Sequence, residues 1–247
     1  MSHTKKVALV TGANKGLGLE TARQLGRLGI TVLLGARDAL KGKQAAEHLR
    51  AEGLDARFIP LDVVEAGHIA AAAAVIESDF GKLDILINNA GVMIESEDMI
   101  ANTSATISQQ DLRATFDTNF FAVVALTQAL LPLLRKSPAA RIVNVSSILG
   151  STTLHATPGS PIYDAKLLGY DSSKAALNSF TVHLAHALRD TPIKVNSAHP
   201  GWVKTDMGGD GAQMELVDGA KTQVDLALLP EDGPTGGYFH LGKPLPW

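Results

Sequence analysis

The chain contains no cysteine. Disulfides, thiolate zinc sites and cysteine nucleophiles are thereby excluded. The absence fits a reducing compartment, so a cytoplasmic location is expected. Charge of either sign is also scarce in excess: the formal net charge is −3. That gives no electrostatic ground for nucleic acid or an anionic membrane as partner. The apolar run at 7–10 is too short for a signal-peptide core, and a glycine-rich loop follows it at once. The most apolar long stretch, 120–134, carries Thr127, Gln128 and Pro132. It is shorter than the roughly 20 residues that span a bilayer, so a buried helix is expected. No metal-ligand cluster, internal repeat, low-complexity segment or linker is visible, and residues 1–247 read as one domain with no metal.

What is present is an alternation. Strand-like runs at 7–11, 30–36, 56–61, 83–88, 141–146, 194–198 and 237–241 alternate with helical patterns near 17–28, 39–52, 68–78, 111–134 and 172–189. This order predicts an α/β fold, with a parallel sheet covered by helices on both faces. With 247 residues, 45% of them hydrophobic, the chain is long enough for one such domain with a substantial core. In the helix at 172–189, Leu177, Phe180, Leu184 and Leu188 form an apolar stripe. His183 and His186 lie off that stripe and read as surface histidines.

Thr11-Gly12-Ala13-Asn14-Lys15-Gly16-Leu17-Gly18 follows the first strand and opens the first helix. Glycines there permit a tight turn and close backbone approach to a pyrophosphate. The helix N-terminus adds free N–H groups and a positive dipole end. This end of the chain reads as a dinucleotide site.

Tyr170 and Lys174 stand four residues apart, which puts both on one face of a helix. A free phenol has a pKa of roughly 10 and is a reluctant acid or base near neutrality. A neighbouring ammonium favours the phenolate and lowers that value toward the working range. Tyr163 and Lys166 form a second Tyr–Lys pair at the wrong spacing, and Tyr163 is expected in the loop covering the substrate. Upstream, the strand at 141–146 ends in Ser146-Ser147, where either hydroxyl faces the carboxyl end of the sheet or caps a turn. Asn119 lies inside an apolar helical run, where a polar amide needs a hydrogen-bonding reason.

Together these motifs resemble the short-chain dehydrogenase/reductase superfamily: Thr-Gly-x-x-x-Gly-x-Gly, Asn88-Asn89-Ala90-Gly91, Asn119, Ser147, Tyr170-x-x-x-Lys174 and Pro200-Gly201, in the family's order. Asn14-Lys15, Gly35-Ala36-Arg37-Asp38 and the ending Gly-Pro-Thr-Gly-Gly-Tyr-Phe look most like its carbonyl-reductase branch. The resemblance implies a doubly wound Rossmann sheet in three α/β/α layers. It implies Asn119, Ser147, Tyr170 and Lys174 as the catalytic set, with Ser147 preferred over Ser146 on that ground. Cofactor contacts carried over are Gly12, Asn14, Lys15, Gly16, Leu17, Gly18, Arg37, Asp62, Val63, Asn89, Ala90, Gly91, Pro200, Gly201, Val203 and Thr205, together with Tyr170 and Lys174. By the same alignment Ala36 occupies the place where NAD-dependent members hold a carboxylate on the ribose hydroxyl. With Ala36 there, and Lys15 and Arg37 nearby, NADP(H) is the expected cofactor. Asp38 is free either to pair with Arg37 or to point away.

The expected activity is reversible reduction of a ketone or aldehyde to an alcohol. In it Tyr170 is the general acid, Ser147 binds the carbonyl oxygen and Lys174 lowers the Tyr170 pKa and grips the ribose. Asn119 would hold a relay water. The rivals are an alcohol dehydrogenase running oxidatively at the same site, and an NADP(H)-binding regulator without turnover. The substrate wall is expected from 93–97, 148–163, Trp202 and the glycine-rich segment after Thr205, a candidate lid. The stretch between Ser147 and Tyr170 is longer than in many members of the family, and covers the substrate site or blocks a subunit interface. A homodimer, a homotetramer and a monomer all remain open. His155, within that stretch, reads more readily as solvent-facing than as a substrate contact.

Overall fold

Val7–Thr11 is a run of apolar and β-branched residues, buried along its whole length, and it forms the central strand β1. A computed structural model describes residues 5–97 and 104–247, apart from the side chains of Ser96 and Glu97. Those two side chains of the expected substrate wall, and residues 1–4 of the N-terminus, lie outside the described residues.

Seven further strands follow: β2 (Thr31–Ala36), β3 (Ala56–Pro60), β4 (Ile85–Asn88), β5 (Arg141–Val145), β6 (Lys194–Ala198), β7 (Tyr238–His240) and β8 (Lys243–Pro244). They lie in the order β3-β2-β1-β4-β5-β6-β7-β8. Every pairing is parallel until β8, which returns antiparallel to β7. The chain reverses its direction of growth between β1 and β4. Such a switch point opens a crevice at the carboxyl ends of the strands.

The helices are α1 (Gly16–Arg27), α2 (Ala39–Ala51), α3 (Ala66–Phe80), α4 (Gln109–Phe116), α5 (Ala122–Leu134), α6 (Thr152–Ala156), α7 (Leu168–Ala187), α8 (Leu216–Gly219) and α9 (Lys221–Ala227). Alternation along β1 sorts them into two layers. Ala8 and Val10 pack with Ala22 and Leu25 of α1, Ala46 and Leu49 of α2 and Leu226 of α9. Val7 and Leu9 face the other way, toward Ile76 of α3, Leu126 and Leu130 of α5 and Ala185 of α7. The three-layer doubly wound sheet is the expected one.

Three departures matter for the site. The helix expected at 172–189 starts at Leu168, so Tyr170 and Lys174 both lie in its first two turns. Its buried face is also more polar than the predicted stripe: Ser173, Leu177, Thr181, Ala185 and Leu188 are buried, whereas Phe180 and Leu184 are only half-buried. The helix expected at 111–134 is interrupted by a π-helical turn, Asp117–Phe121, between α4 and α5. Counted through that turn, the helical run covers 26 residues and is long and apolar enough to cross a membrane. It is therefore longer than the expected buried helix, but Leu126, Leu130, Leu133 and Leu134 turn its inner face into the core. The strand β8 and helices α6, α8 and α9 were not anticipated.

Candidate active site

At the switch point the loop after β1 is locked to the end of β4. The Thr11 hydroxyl accepts the Asn89 and Ala90 N–H groups, each at 2.9 Å. Asn89 Nδ2 returns a bond to the Thr11 carbonyl at 2.8 Å. Gly12 holds a left-handed φ of +64°, which a side chain would strain. A β-carbon on Gly18 would lie 2.5 Å from Asn89 Nδ2 and 2.6 Å from the Gly12 carbonyl. Gly12 and Gly18 of the loop thus lie directly against Asn89 and Ala90, and Asn14, Lys15, Gly16 and Leu17 continue the loop into α1 while Gly91 follows Ala90. The cap residue of α1, Lys15, is extended and offers no side-chain acceptor, and the first turn contains no acid. The free N–H groups of α1 fit a pyrophosphate.

Ala36 ends β2 and is buried, with Arg37 exposed beside it. Asp38 points away from Arg37: its carboxylate caps α2 by accepting the Lys41 N–H at 3.0 Å. Lys15 departs from expectation. Its ammonium forms an exposed ion pair with Asp206, in the segment after Thr205. Asp62 is partly committed to its own turn, its carboxylate accepting the Val64 N–H at 3.3 Å while its N–H donates to His68 Nδ1 at 3.1 Å. Val63 is buried beside it.

Beyond β6, Pro200 and Gly201 lead into a segment that folds back on itself. Val203 bridges Met214, and the Trp202 indole donates to the Gly208 carbonyl at 2.8 Å. Thr205 donates to the Val203 carbonyl at 3.3 Å and accepts the Gly208 N–H at 3.1 Å. A β-carbon on Gly16 would meet only the Thr205 methyl, at 3.7 Å. The expected glycine-rich lid thus folds back as a flap facing the glycine loop, with Lys15 and Asp206 paired between them. Trp202 is 58% exposed on its rim.

Ser147 follows β5 in an extended conformation, and its hydroxyl accepts the Leu149 N–H at 3.2 Å to open a 3₁₀ turn, Ile148–Gly150. Its other neighbour is the Tyr170 phenol. The Ser146 hydroxyl instead is buried without a partner among the described residues. Lys174 Nζ donates to the Val145 carbonyl at 2.9 Å and lies 5.6 Å from the centre of the Tyr170 ring. Asn119 sits in the π-helical turn, donates to the Val92 carbonyl at 2.8 Å and to Ser173 Oγ at 3.0 Å, and accepts the Val92 N–H at 2.8 Å. A β-carbon on Gly91 would come within 3.3 Å of Asn119 Oδ1 and 3.5 Å of Lys174 Nζ. Glycine leaves these two polar atoms facing the same space. All four residues of the predicted catalytic set converge at the carboxyl end of β5.

The electrostatics differ from the expected phenol activated by its lysine. Burial pushes the Tyr170 phenol up to about 12, against the hydrogen bond from Ser147, which lowers it. Burial also draws the Lys174 ammonium down to about 8. Desolvation penalises both charged forms and is the largest cause of each shift.

Two residues of this site were missed in the sequence. His199 Nδ1 accepts the Ile148 N–H at 3.1 Å, bracing the turn after Ser147. Burial, with His240 beside it, lowers its pKa to about 3, so the neutral ring stays an acceptor. Its place directly before Pro200-Gly201 was the available signal. The other is Glu95, buried against the start of α7. His155 was expected to face solvent; instead Nε2 lies 2.8 Å from the Leu149 carbonyl and 3.3 Å from Asp171 Oδ2. It fastens the 148–163 stretch to α7. Tyr163 is exposed, with Lys166 Nζ 5.1 Å from its ring centre, far from the role of Tyr170.

A parallel sheet with a glycine crevice at its switch point and a Ser/Tyr/Lys cluster beside it defines a dinucleotide-dependent oxidoreductase. The short chain dehydrogenase family profile matches residues 6–216, and the chain belongs to that family. It is 35% identical to short-chain dehydrogenase/reductase 1 of Saponaria officinalis, over 98% of this chain and 96% of that one. It is 34% identical to carbonyl reductase (NADPH) 1 of Mus musculus, covering 100% of both chains. The NADPH-bound carbonyl reductase from chicken fatty liver superposes with a TM-score of 0.84 at 31% identity, over 98% of this chain and 99% of that one.

Proposed function

We propose that this enzyme reduces ketone or aldehyde carbonyls to alcohols with NADPH, and that Tyr170 donates the proton. The observation that carries the reading is the convergence of Ser147, Tyr170 and Lys174 beside the crevice, with Lys174 Nζ 5.6 Å from the Tyr170 ring centre. A phenol held near 12 keeps its proton at neutral pH, as a proton donor must. Ser147 hydrogen-bonds the same carbonyl oxygen and stabilises its developing charge. Lys174 presents a cation beneath the phenol and hydrogen-bonds the ribose, and Asn119 helps Lys174 hold a water in the space that Gly91 leaves. The cofactor, when bound, supplies the hydride. Preference for the 2′-phosphate rests on Ala36, which carries no repelling carboxylate, and on the neighbouring cations Arg37 and Lys15. The NADPH-using carbonyl reductases that this chain resembles support the same choice.

The test is consumption of NADPH and NADH with a mixed panel of ketones, aldehydes and quinones, beside Tyr170→Phe. NADPH turnover that falls about 100-fold or more in the variant, with NADPH still bound, is expected. A wild-type preference for NADH, or a variant with most of its activity, contradicts the reading.

A further inference from the structure

Glu95 is fully buried, with no compensating lysine or arginine among its hydrogen-bond partners in the described residues. Its two oxygens accept two consecutive backbone N–H groups, Oε1 from Gly169 at 2.9 Å and Oε2 from Tyr170 at 2.7 Å. These N–H groups belong to the first turn of α7, whose own cap residue, Leu167, offers no side-chain acceptor. Charge-assisted bonds and the positive helix end together offset the cost of burying the carboxylate. The cap is therefore supplied from a distant part of the chain, the 3₁₀ turn Ile94–Glu97.

The same segment also holds the other side of Tyr170. Val92 exchanges two hydrogen bonds with the Asn119 amide, which donates to Ser173 Oγ at 3.0 Å. Ser173 Oγ in turn donates to the Tyr170 carbonyl at 2.7 Å. Residues 92–95 thus grip the Tyr170 backbone at its N–H through Glu95 and at its C=O through Asn119 and Ser173. Gly169 makes room for the grip: a β-carbon there would lie 2.8 Å from Glu95 Oε2. Its φ is not left-handed, so alanine at 169 crowds the carboxylate first and, at 3.3 Å, Ile107 Cδ1 second.

We infer that Glu95 is a positioning residue for catalysis, holding the Tyr170 phenol in register with the cofactor crevice through the backbone of α7. The inference rests on Tyr170 being the proton donor. A phenol displaced by about 1 Å loses on the order of 100-fold in rate without losing bound cofactor.

The experiment compares wild type, Glu95→Ala, Glu95→Gln, Gly169→Ala and the Glu95→Ala/Gly169→Ala double variant. It measures kcat and KM on the carbonyl panel, NADPH Kd by fluorescence titration, and folding by circular dichroism. Glu95→Ala is expected to lower kcat roughly 10- to 100-fold, with NADPH Kd within about twofold. Glu95→Gln keeps one accepting oxygen and is expected between the two. Gly169→Ala is expected to lower kcat in the wild-type background and to add little further loss to Glu95→Ala, since the crowded carboxylate is then gone and only the 3.3 Å approach to Ile107 Cδ1 remains. If Glu95→Ala fails to fold, Glu95→Gln and Gly169→Ala carry the test. Folded variants with wild-type kcat and only a lower Tm overturn the inference, because Glu95 is then a cap for stability alone. A wild type silent on the whole panel instead overturns the reductase reading on which the inference rests.

Discussion

Lys174 Nζ donates to the Val145 carbonyl at 2.9 Å while lying 5.6 Å from the centre of the Tyr170 ring. The last residue of β5 thereby aims the lysine, and the helix that carries both residues sets their separation. Reduction requires the phenol and the ammonium to be protonated together. Burial has moved their pKa values apart in opposite directions, to about 12 and about 8. The kcat for carbonyl reduction should therefore stay level through neutrality and decline as pH rises through about 8, where Lys174 loses its charge. A kcat profile from pH 6 to 10 reads this directly. Lys174→Arg should weaken the reaction and remove that limb from what remains, since a guanidinium does not titrate there. A limb at 8 that survives the substitution assigns the ionisation to another group.

Lys15, proposed for the cofactor phosphate, is paired with Asp206, and both side chains are largely exposed. An exposed pair of this kind is screened by solvent and holds its partners only weakly. Asp206→Asn should therefore tighten NADPH binding by no more than about fivefold, and only at low ionic strength. Ala36→Asp acts in the opposite sense, placing a carboxylate against the 2′-phosphate. It should weaken NADPH by about tenfold or more, equivalent to 1.4 kcal/mol, while leaving NADH binding intact or improved. Titrating both coenzymes against both variants separates the two contributions.

Much of this architecture was legible because its signals are local. The boundaries of β1 and β6 follow from runs of apolar residues, and the glycine loop and the Tyr170–Lys174 pair announce themselves by spacing, whereas Ser147 is told from Ser146 only by the family resemblance. What escaped depends on contacts between distant segments. Glu95 looks like either of the two acids in 93–97, and only the fold brings it under α7. His155 lies in a loop by any sequence criterion, yet Asp171 and the Leu149 carbonyl draw it inward. The sign of the Tyr170 shift was misjudged for the same reason: the spacing reveals the nearby ammonium, whereas burial of both groups is a property of the assembled core. The inner stripe of α7 was read as leucine and phenylalanine, but its deepest positions include Thr181 and Ser173, which serve hydrogen bonds.

Thr181 closes a buried polar chain through the sheet. Asn88 Nδ2 donates to Asn144 Oδ1 at 2.8 Å, Asn144 Nδ2 donates to Thr181 Oγ1 at 2.8 Å, and Thr181 Oγ1 lies 2.8 Å from Ser197 Oγ. Asn144 is its centre, linking β4 to α7. Asn144→Ala strands a donor on Asn88 and an acceptor on Thr181 in a dry environment. A loss of about 1–3 kcal/mol in unfolding free energy is expected, measured by urea denaturation. Asn144→Ala/Thr181→Val should lose less than the sum of the two single changes, because each already breaks the same bond. Additive losses would mean that the chain has no cooperative character.

Asp171, directly after the proposed donor, gives the enzyme a stability that depends on pH. Its Oδ2 accepts the Leu167 N–H at 2.9 Å, and its Oδ1 is buried without a partner among the described residues. Burial pushes its carboxyl up to about 7; the charge of Glu95 adds to that, while the Leu167 N–H and Lys166 oppose it. His155 Nε2 stands 3.3 Å away. A carboxyl that holds its proton more tightly when folded than when unfolded favours the fold at low pH. That contribution is complete below the unfolded value of about 3.9 and is lost as pH climbs through about 7. Asp171→Asn keeps an acceptor for Leu167 and never ionises. Its Tm relative to wild type should therefore rise between pH 5 and pH 8, the gap opening upward as the wild-type carboxylate is forced to ionise. Scanning calorimetry of both proteins at the two pH values decides it. A gap that stays constant, or closes toward pH 8, would mean that Asp171 is already ionised in the folded enzyme at pH 5.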